Sequence, residues 1–253
     1  MSDSLKKALF HGRRRALIHF TWVAASLLPL PLVSQEAAPK DAPVGLEIPT
    51  DLGFIRLVNA VGMSGRLKVT VDGIEADPAG FKAGFATNGI GLSPKNYQVE
   101  LEHESLGKGS VQVPLQTGQI TTVIAYMTEK PEKGEKAKAT AKKEAEKKGP
   151  RLGWYVDQSP ASPPDVKESV LSLMQFTPSE SLDFKVVNTP VSTGAEKPTR
   201  VPITNAMGSF PDVFYQGKIV CGLNFQFRAD QFVVFYAGED GNLKCITMRN
   251  DVQ

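Results

Sequence analysis

Glu100, Glu102 and Glu104, each two residues from the next, form the best carboxylate cluster in this chain of 253 residues. A period of two puts all three on one face of a strand, with neighbours about 7 Å apart. That spacing could hold a calcium ion with help from an adjacent strand, or supply a carboxylate pair for acid–base hydrolysis. It is equally the pattern of a wet strand face, where edge glutamates discourage sheet-to-sheet pairing. Histidine offers less. His11 and His19 lie near the N-terminus, leaving His103, which alternates in step with Val99 and Leu101. One histidine cannot build a His-rich metal site, and no serine or aspartate motif points to it as a triad base. Ser64 lacks the Gly-x-Ser-x-Gly elbow, and Gly89-Ile90-Gly91 lacks the remaining glycine of a dinucleotide loop. The reading expects no catalytic residue, no cofactor and no metal.

Cys221 and Cys245 lack the Cys-x-x-Cys spacing of redox or zinc sites. In an oxidising compartment a disulfide could join them across neighbouring strands, and two free buried thiols are the alternative. Aromatic residues are the other candidates. Phe225 and Phe227 share a face, as do Phe232 and Tyr236, but their strands are apolar on both sides, which fits a buried central strand. Trp154 and Tyr155 are adjacent and so point to opposite faces, which predicts one of them at the surface as an anchor for a partner or glycan, beside Glu100 and Glu102.

The elements that position these residues are written twice. Residues 55–60 and 67–71 recur as 171–176 and 182–186; Gln119–Ala125 recurs as Gln231–Ala237, and Leu152–Val156 as Leu243–Thr247. Four matched strands in one order mean two copies of a single β-unit. Leu67, Val69 and Val71 alternate with Lys68 and Thr70, and Asp72-Gly73 supplies turn chemistry. Short strands punctuated by Gly, Asn and Pro describe antiparallel sandwiches, so the expected fold class is all-β, with two tandem immunoglobulin-like β-sandwich domains. Copy one covers 53–158 and copy two 166–253. A Pro-rich linker, 159–165, is expected to hold them apart. Residues 129–151 carry eight lysines and one arginine against five glutamates. They occupy the place of the tight turn 238–242 in copy two, so they read as an insertion at a hairpin tip.

The N-terminus reads as a signal peptide over 1–35, with Lys6, Lys7 and Arg13–Arg15 ahead of an apolar stretch that ends at Pro29 and Pro31, then an extended leader over 36–52. Starting at Glu36 leaves 24 basic against 26 acidic residues, a net charge of −2 rather than +2. Basicity therefore gives no argument for nucleic acid, and no other segment is long enough to cross a membrane. The expected location is periplasmic or extracellular.

Phe54–Ala60 followed by Leu67–Gly73, then Asn96–Glu100 and Thr117–Val123, resembles a family of secreted bacterial β-sandwiches, domain of unknown function 4397. The resemblance covers most of copy one and is fainter in copy two, which lacks the Val-Asp-Gly ending. It implies an envelope module without catalytic residues, partnered by an envelope protein or polysaccharide. Periplasmic accessory proteins of alginate O-acetylation have a similar opening domain, which implies a role in polysaccharide modification or export. The carboxylate-dependent hydrolase built on Glu100 and Glu102 is the contrasting expectation.

Overall fold

In the computed structural model the described residues are 51–129, 149–161, 169–204, 207–208, 210–225 and 229–250. The signal segment, the leader up to residue 50, the centre of the lysine tract, Pro163, Pro164 and Phe227 lie outside them.

Seventeen strands and no helix occur among the described residues. The first half contains β1 (Gly53–Ala60), β2 (Arg66–Val71), β3 (Ile74–Glu75), β4 (Phe81–Lys82), β5 (Ile90–Leu92), β6 (Asn96–His103), β7 (Gly107–Pro114), β8 (Gln119–Thr128) and β9 (Arg151–Pro160). The second contains β10 (Ser169–Phe176), β11 (Ser181–Val186), β12 (Thr189–Gly194), β13 (Thr199–Ile203), β14 (Asp212–Tyr215), β15 (Lys218–Gly222), β16 (Gln231–Ala237) and β17 (Leu243–Arg249).

The duplication is visible in the topology. Sheet order β5-β1-β8-β9 is matched by β13-β10-β16-β17, and β3-β2-β6-β7 by β12-β11-β14-β15. In each half the first strand runs parallel to one neighbour, β1 to β8 and β10 to β16, and every other ladder between these strands is antiparallel. Turn chemistry follows the sequence. Asp72 (φ 49°) and Gly73 (φ 79°) close β2 onto β3, and Gln216 (φ 50°) and Gly217 (φ 77°) close β14 onto β15. Both pairs have the two left-handed residues that a type I′ hairpin requires.

The pairing corrects one detail of the repeat. Leu57 lies opposite Val123 and Leu173 opposite Val233, so Tyr126 answers to Tyr236 and Thr121 to Gln231. The match of Gln119 with Gln231 is therefore displaced by two residues. A two-residue shift keeps every side chain on its original face, so alternation alone could not detect it. Ala125 pairs with Trp154 and Phe235 with Cys245, which makes Trp154 and Cys245 equivalent. Thr128 pairs with Arg151 across the lysine tract, while Gly238–Asn242 forms the tight turn at the same place in the second half.

Each half has its own core between its two sheets. Ile55, Leu57, Val69, Val99 and Val123 fill the first, and Leu173, Phe184, Val213, Val233 and Phe235 the second. A third core joins the halves. Val58, Ala60, Ile124 and Tyr126 from the outer side of the β1–β8 pair meet Met174, Phe176, Phe232, Val234, Tyr236 and Ile246. Tyr126 and Phe176 rings approach to 4.4 Å between centroids. This is why β1, β8 and β16 are buried on both faces: one face meets the home sheet and the other meets the opposite copy. The expected separation of the copies is not what the structure has. Ser159 and Pro160 belong to β9, Ala161 is buried, and residues Gly45–Gln253 form one unit. No helix among the described residues is long and apolar enough to cross a membrane.

Candidate functional site

β6 alternates strictly, with Tyr97, Val99, Leu101 and His103 buried and the residues between them facing out. Register then fixes what stands beside each glutamate. Glu102 lies between Lys68 of β2 and Lys108 of β7; Glu100 lies between Thr70 and Ser110, with Glu75 beyond Thr70. The result is two parallel rows across the outer face of this sheet, lining a shallow depression of about 390 Å³. Lys108 Nζ sits 2.9 Å from Glu102 Oε2, and Thr70 Oγ1 donates to Glu100 Oε2 at 3.2 Å. One step along, Gln112 Nε2 donates to Gln98 Oε1. Each carboxylate thus has a cationic or hydroxyl neighbour across the strand, an arrangement that steadies a sheet modestly. Among the described residues no group of three or more His, Cys, Asp or Glu side chains could hold a metal. The calcium ladder does not form from Glu100, Glu102 and Glu104.

His103 occupies the other face of β6 and is 1% exposed. Its Nδ1 accepts the Ser105 N–H at 3.3 Å, which leaves the proton on Nε2. The ring lies against Gly65 (φ +119°), where a Cβ would fall 2.9 Å from the ring Cε1, so glycine is needed for space as well as conformation. Burial holds the imidazole below its ordinary pKa, with Glu104 opposing weakly.

Trp154 and Tyr155 do point to opposite faces of β9, but both faces are covered. The Trp154 indole rests on Gly109 of β7, where an added Cβ would come within 2.1 Å of Cζ3. It closes the corner between the two sheets of copy one. Tyr155 turns to the shared core, 5.9 Å from the Phe176 ring. Burial raises its phenol pKa first, and Asp157 and Glu196 add to it. Both residues are half-buried. Phe225, Phe232 and Tyr236 are core residues.

Cys221 and Cys245 are thiols on facing sheets of copy two, β15 and β17. Cys245 Sγ donates to the Val220 carbonyl at 3.2 Å, and both cysteines belong to the core of copy two. The neighbouring Cys245 and burial raise the Cys221 pKa, and the neighbouring Cys221 lowers that of Cys245.

The residue that sequence reasoning missed is Arg56. It is 2% exposed in the middle of β1, with Nη1 donating to Asn250 Oδ1 at 2.9 Å and Nη2 to the Arg249 carbonyl. Asn250 Nδ2 in turn reaches Ser159 Oγ at 3.3 Å. At another point along the seam the Ser64 N–H donates to Glu239 at 3.1 Å. A single charged residue in a strand buried along its whole length was the available signal: such a strand has no wet side for it. Neither a protein-family model nor any curated protein matches this chain.

Proposed function

We propose that this protein is a non-enzymatic binding or scaffold protein of the cell envelope, made of two immunoglobulin-like β-sandwich copies and exported behind residues 1–35. The observation that carries the reading is the outer face of β3-β2-β6-β7. Lys68, Glu102 and Lys108 in one row, and Thr70, Glu100 and Ser110 in the next, present alternating donors and acceptors from a sheet whose other face is locked into a core. Such a face suits a hydroxyl-rich polymer or a polar peptide, because hydrogen bonds from a rigid surface lose little entropy on binding. The resemblance to envelope modules and the net +4 tract 129–151 at the β8–β9 tip favour polysaccharide, in support of acetylation or export.

The test is retention of purified exopolysaccharides and envelope extracts on immobilised full-length protein, wild type against a Lys68→Ala, Glu100→Gln, Glu102→Gln variant. Retention should drop at least tenfold in the variant, with circular dichroism unchanged. Equal retention by both proteins would overturn the proposed face. Polymer cleavage by the wild type that the variant loses would establish the hydrolase instead.

A further inference from the structure

The two copies close the same corner differently. In copy one the edges of β7 and β9 meet, and the corner is filled by Trp154 lying on Gly109. In copy two β15 and β17 meet in the same way, and the position equivalent to Trp154 is Cys245. Its neighbour is Cys221. β15 is irregular here: Val213 pairs with Cys221 but Phe214 pairs with Ile219, so Val220 is an extra residue. In a regular strand Ile219 and Cys221 would share a face. With the bulge, Ile219 is 59% exposed while Cys221 is 4% exposed and turned into the core. The Val220 carbonyl receives the Cys245 thiol, which places Sγ of Cys245 alongside the Cys221 backbone. A bulge that turns one thiol into the core beside the carbonyl that receives the other, at a corner its twin fills with an indole, is a device for bringing two sulfurs together.

We propose that Cys221 and Cys245 are a modification site: a pair that closes into a disulfide joining the two sheets of copy two. Cys245 is the more exposed of the two and so the entry point. Its thiolate attacks an external disulfide, such as oxidised glutathione or a disulfide-carrying oxidase, and expels one thiolate. Cys221 gives up its proton to solvent, attacks the Cys245 sulfur of the mixed disulfide, and expels the second. The protein loses two electrons and two protons; the external disulfide gains them as two thiols.

The full-length protein purified in air is incubated with oxidised glutathione, unfolded, alkylated with a maleimide and weighed, and a duplicate is digested without reductant. The expected result is no alkylation, a monomeric peptide linking Cys221 to Cys245, and thermal unfolding about 10 °C above that of the dithiothreitol-treated protein. Two alkylated cysteines, a linkage between chains, or equal melting temperatures with and without reductant would each overturn the proposal. Because the oxidised and reduced forms have one sequence, the comparison does not depend on any cysteine variant folding. Neither outcome bears on the polar face of copy one, so this test and that of the proposed function fail independently.

Discussion

Replacing Phe176 by alanine tests whether the halves are one cooperative body. Phe176 belongs to copy two, yet its ring lies 4.4 Å from Tyr126 and 5.9 Å from Tyr155, both of copy one, and it is 6% exposed. Were the copies independent, that side chain would sit on an open outer face and its loss would cost almost nothing. Buried as it is, truncation should cost about 3–5 kcal/mol, the range for Phe→Ala in a core that cannot collapse around the gap. With a urea dependence of about 2.5 kcal/mol per molar, suitable for a body of this size, the midpoint should fall by about 1.5 M. In a chain beginning at Glu36, Trp154 is the sole tryptophan, and it reports from the core of copy one. The assay is urea unfolding followed both by its fluorescence and by far-ultraviolet circular dichroism. Both signals should move together to the lower midpoint. A fluorescence transition that keeps the wild-type midpoint while circular dichroism splits into two steps would refute the shared core.

Replacing residues 129–150 by Asn-Gly joins Thr128 to Arg151, which already face each other in the ladder, so the melting temperature should stay within about 5 °C; loss of the strand signal in circular dichroism would show that the tract supports the fold. Burial lowers the His103 pKa from its usual 6.5, so the unfolded chain takes up a proton first as pH falls. That stability is complete above pH 6.5 and declines below it, and His103→Gln should flatten the fall in urea midpoint between pH 7.5 and 5.5; an unchanged slope would place the effect elsewhere. Asp157 has the opposite sign, because burial raises its carboxyl pKa and Arg200 offsets this only in part. Its charged form opposes folding once pH rises through the folded value, so Asp157→Asn should raise the midpoint at pH 7 and do little at pH 3; an equal gain at both would count against a charge effect.

What the sequence makes legible here is whatever depends on alternation and turn chemistry. The four repeated strands, the Asp72-Gly73 turn, the inward Val99 and Leu101, and the hairpin carrying the lysine tract all follow from period two and from residues that tolerate positive φ. The shared core was half legible. β16 reads as buried on both faces, but a run such as Phe232–Tyr236 cannot say whether its second cover is another sheet of its own copy or the other copy. The prolines at 160, 163 and 164 argued for separation, yet Pro160 pairs with Gln119 at the end of β9, a position where a missing N–H is tolerated. Trp154 and Tyr155 do face opposite sides of β9, but a sheet sandwiched between two others gives each side a core to meet, that of copy one for Trp154 and the shared one for Tyr155.

The buried polar residues carry the duplication further than the apolar pattern does. Asn59 and Gln175 end the first strand of each copy, both almost completely buried. In each, the side-chain oxygen accepts the N–H two residues on, Val61 or Thr177, while the amide donates to a backbone carbonyl, Phe81 or Ser179. A longer side chain does the same work around a different turn, so the two copies share the hydrogen bonds rather than the residue. The outer faces diverge instead. Copy one shows rows of lysine, glutamate and hydroxyls; the matching row of copy two runs Pro190, Lys185, Phe214 and Ile219 across its four strands. With the inner sheets committed to each other and the common skeleton held by equivalent buried contacts, differences of function between the copies must lie on those two outer faces and at the hairpin tips. That is where ligand screens should be aimed, one face at a time.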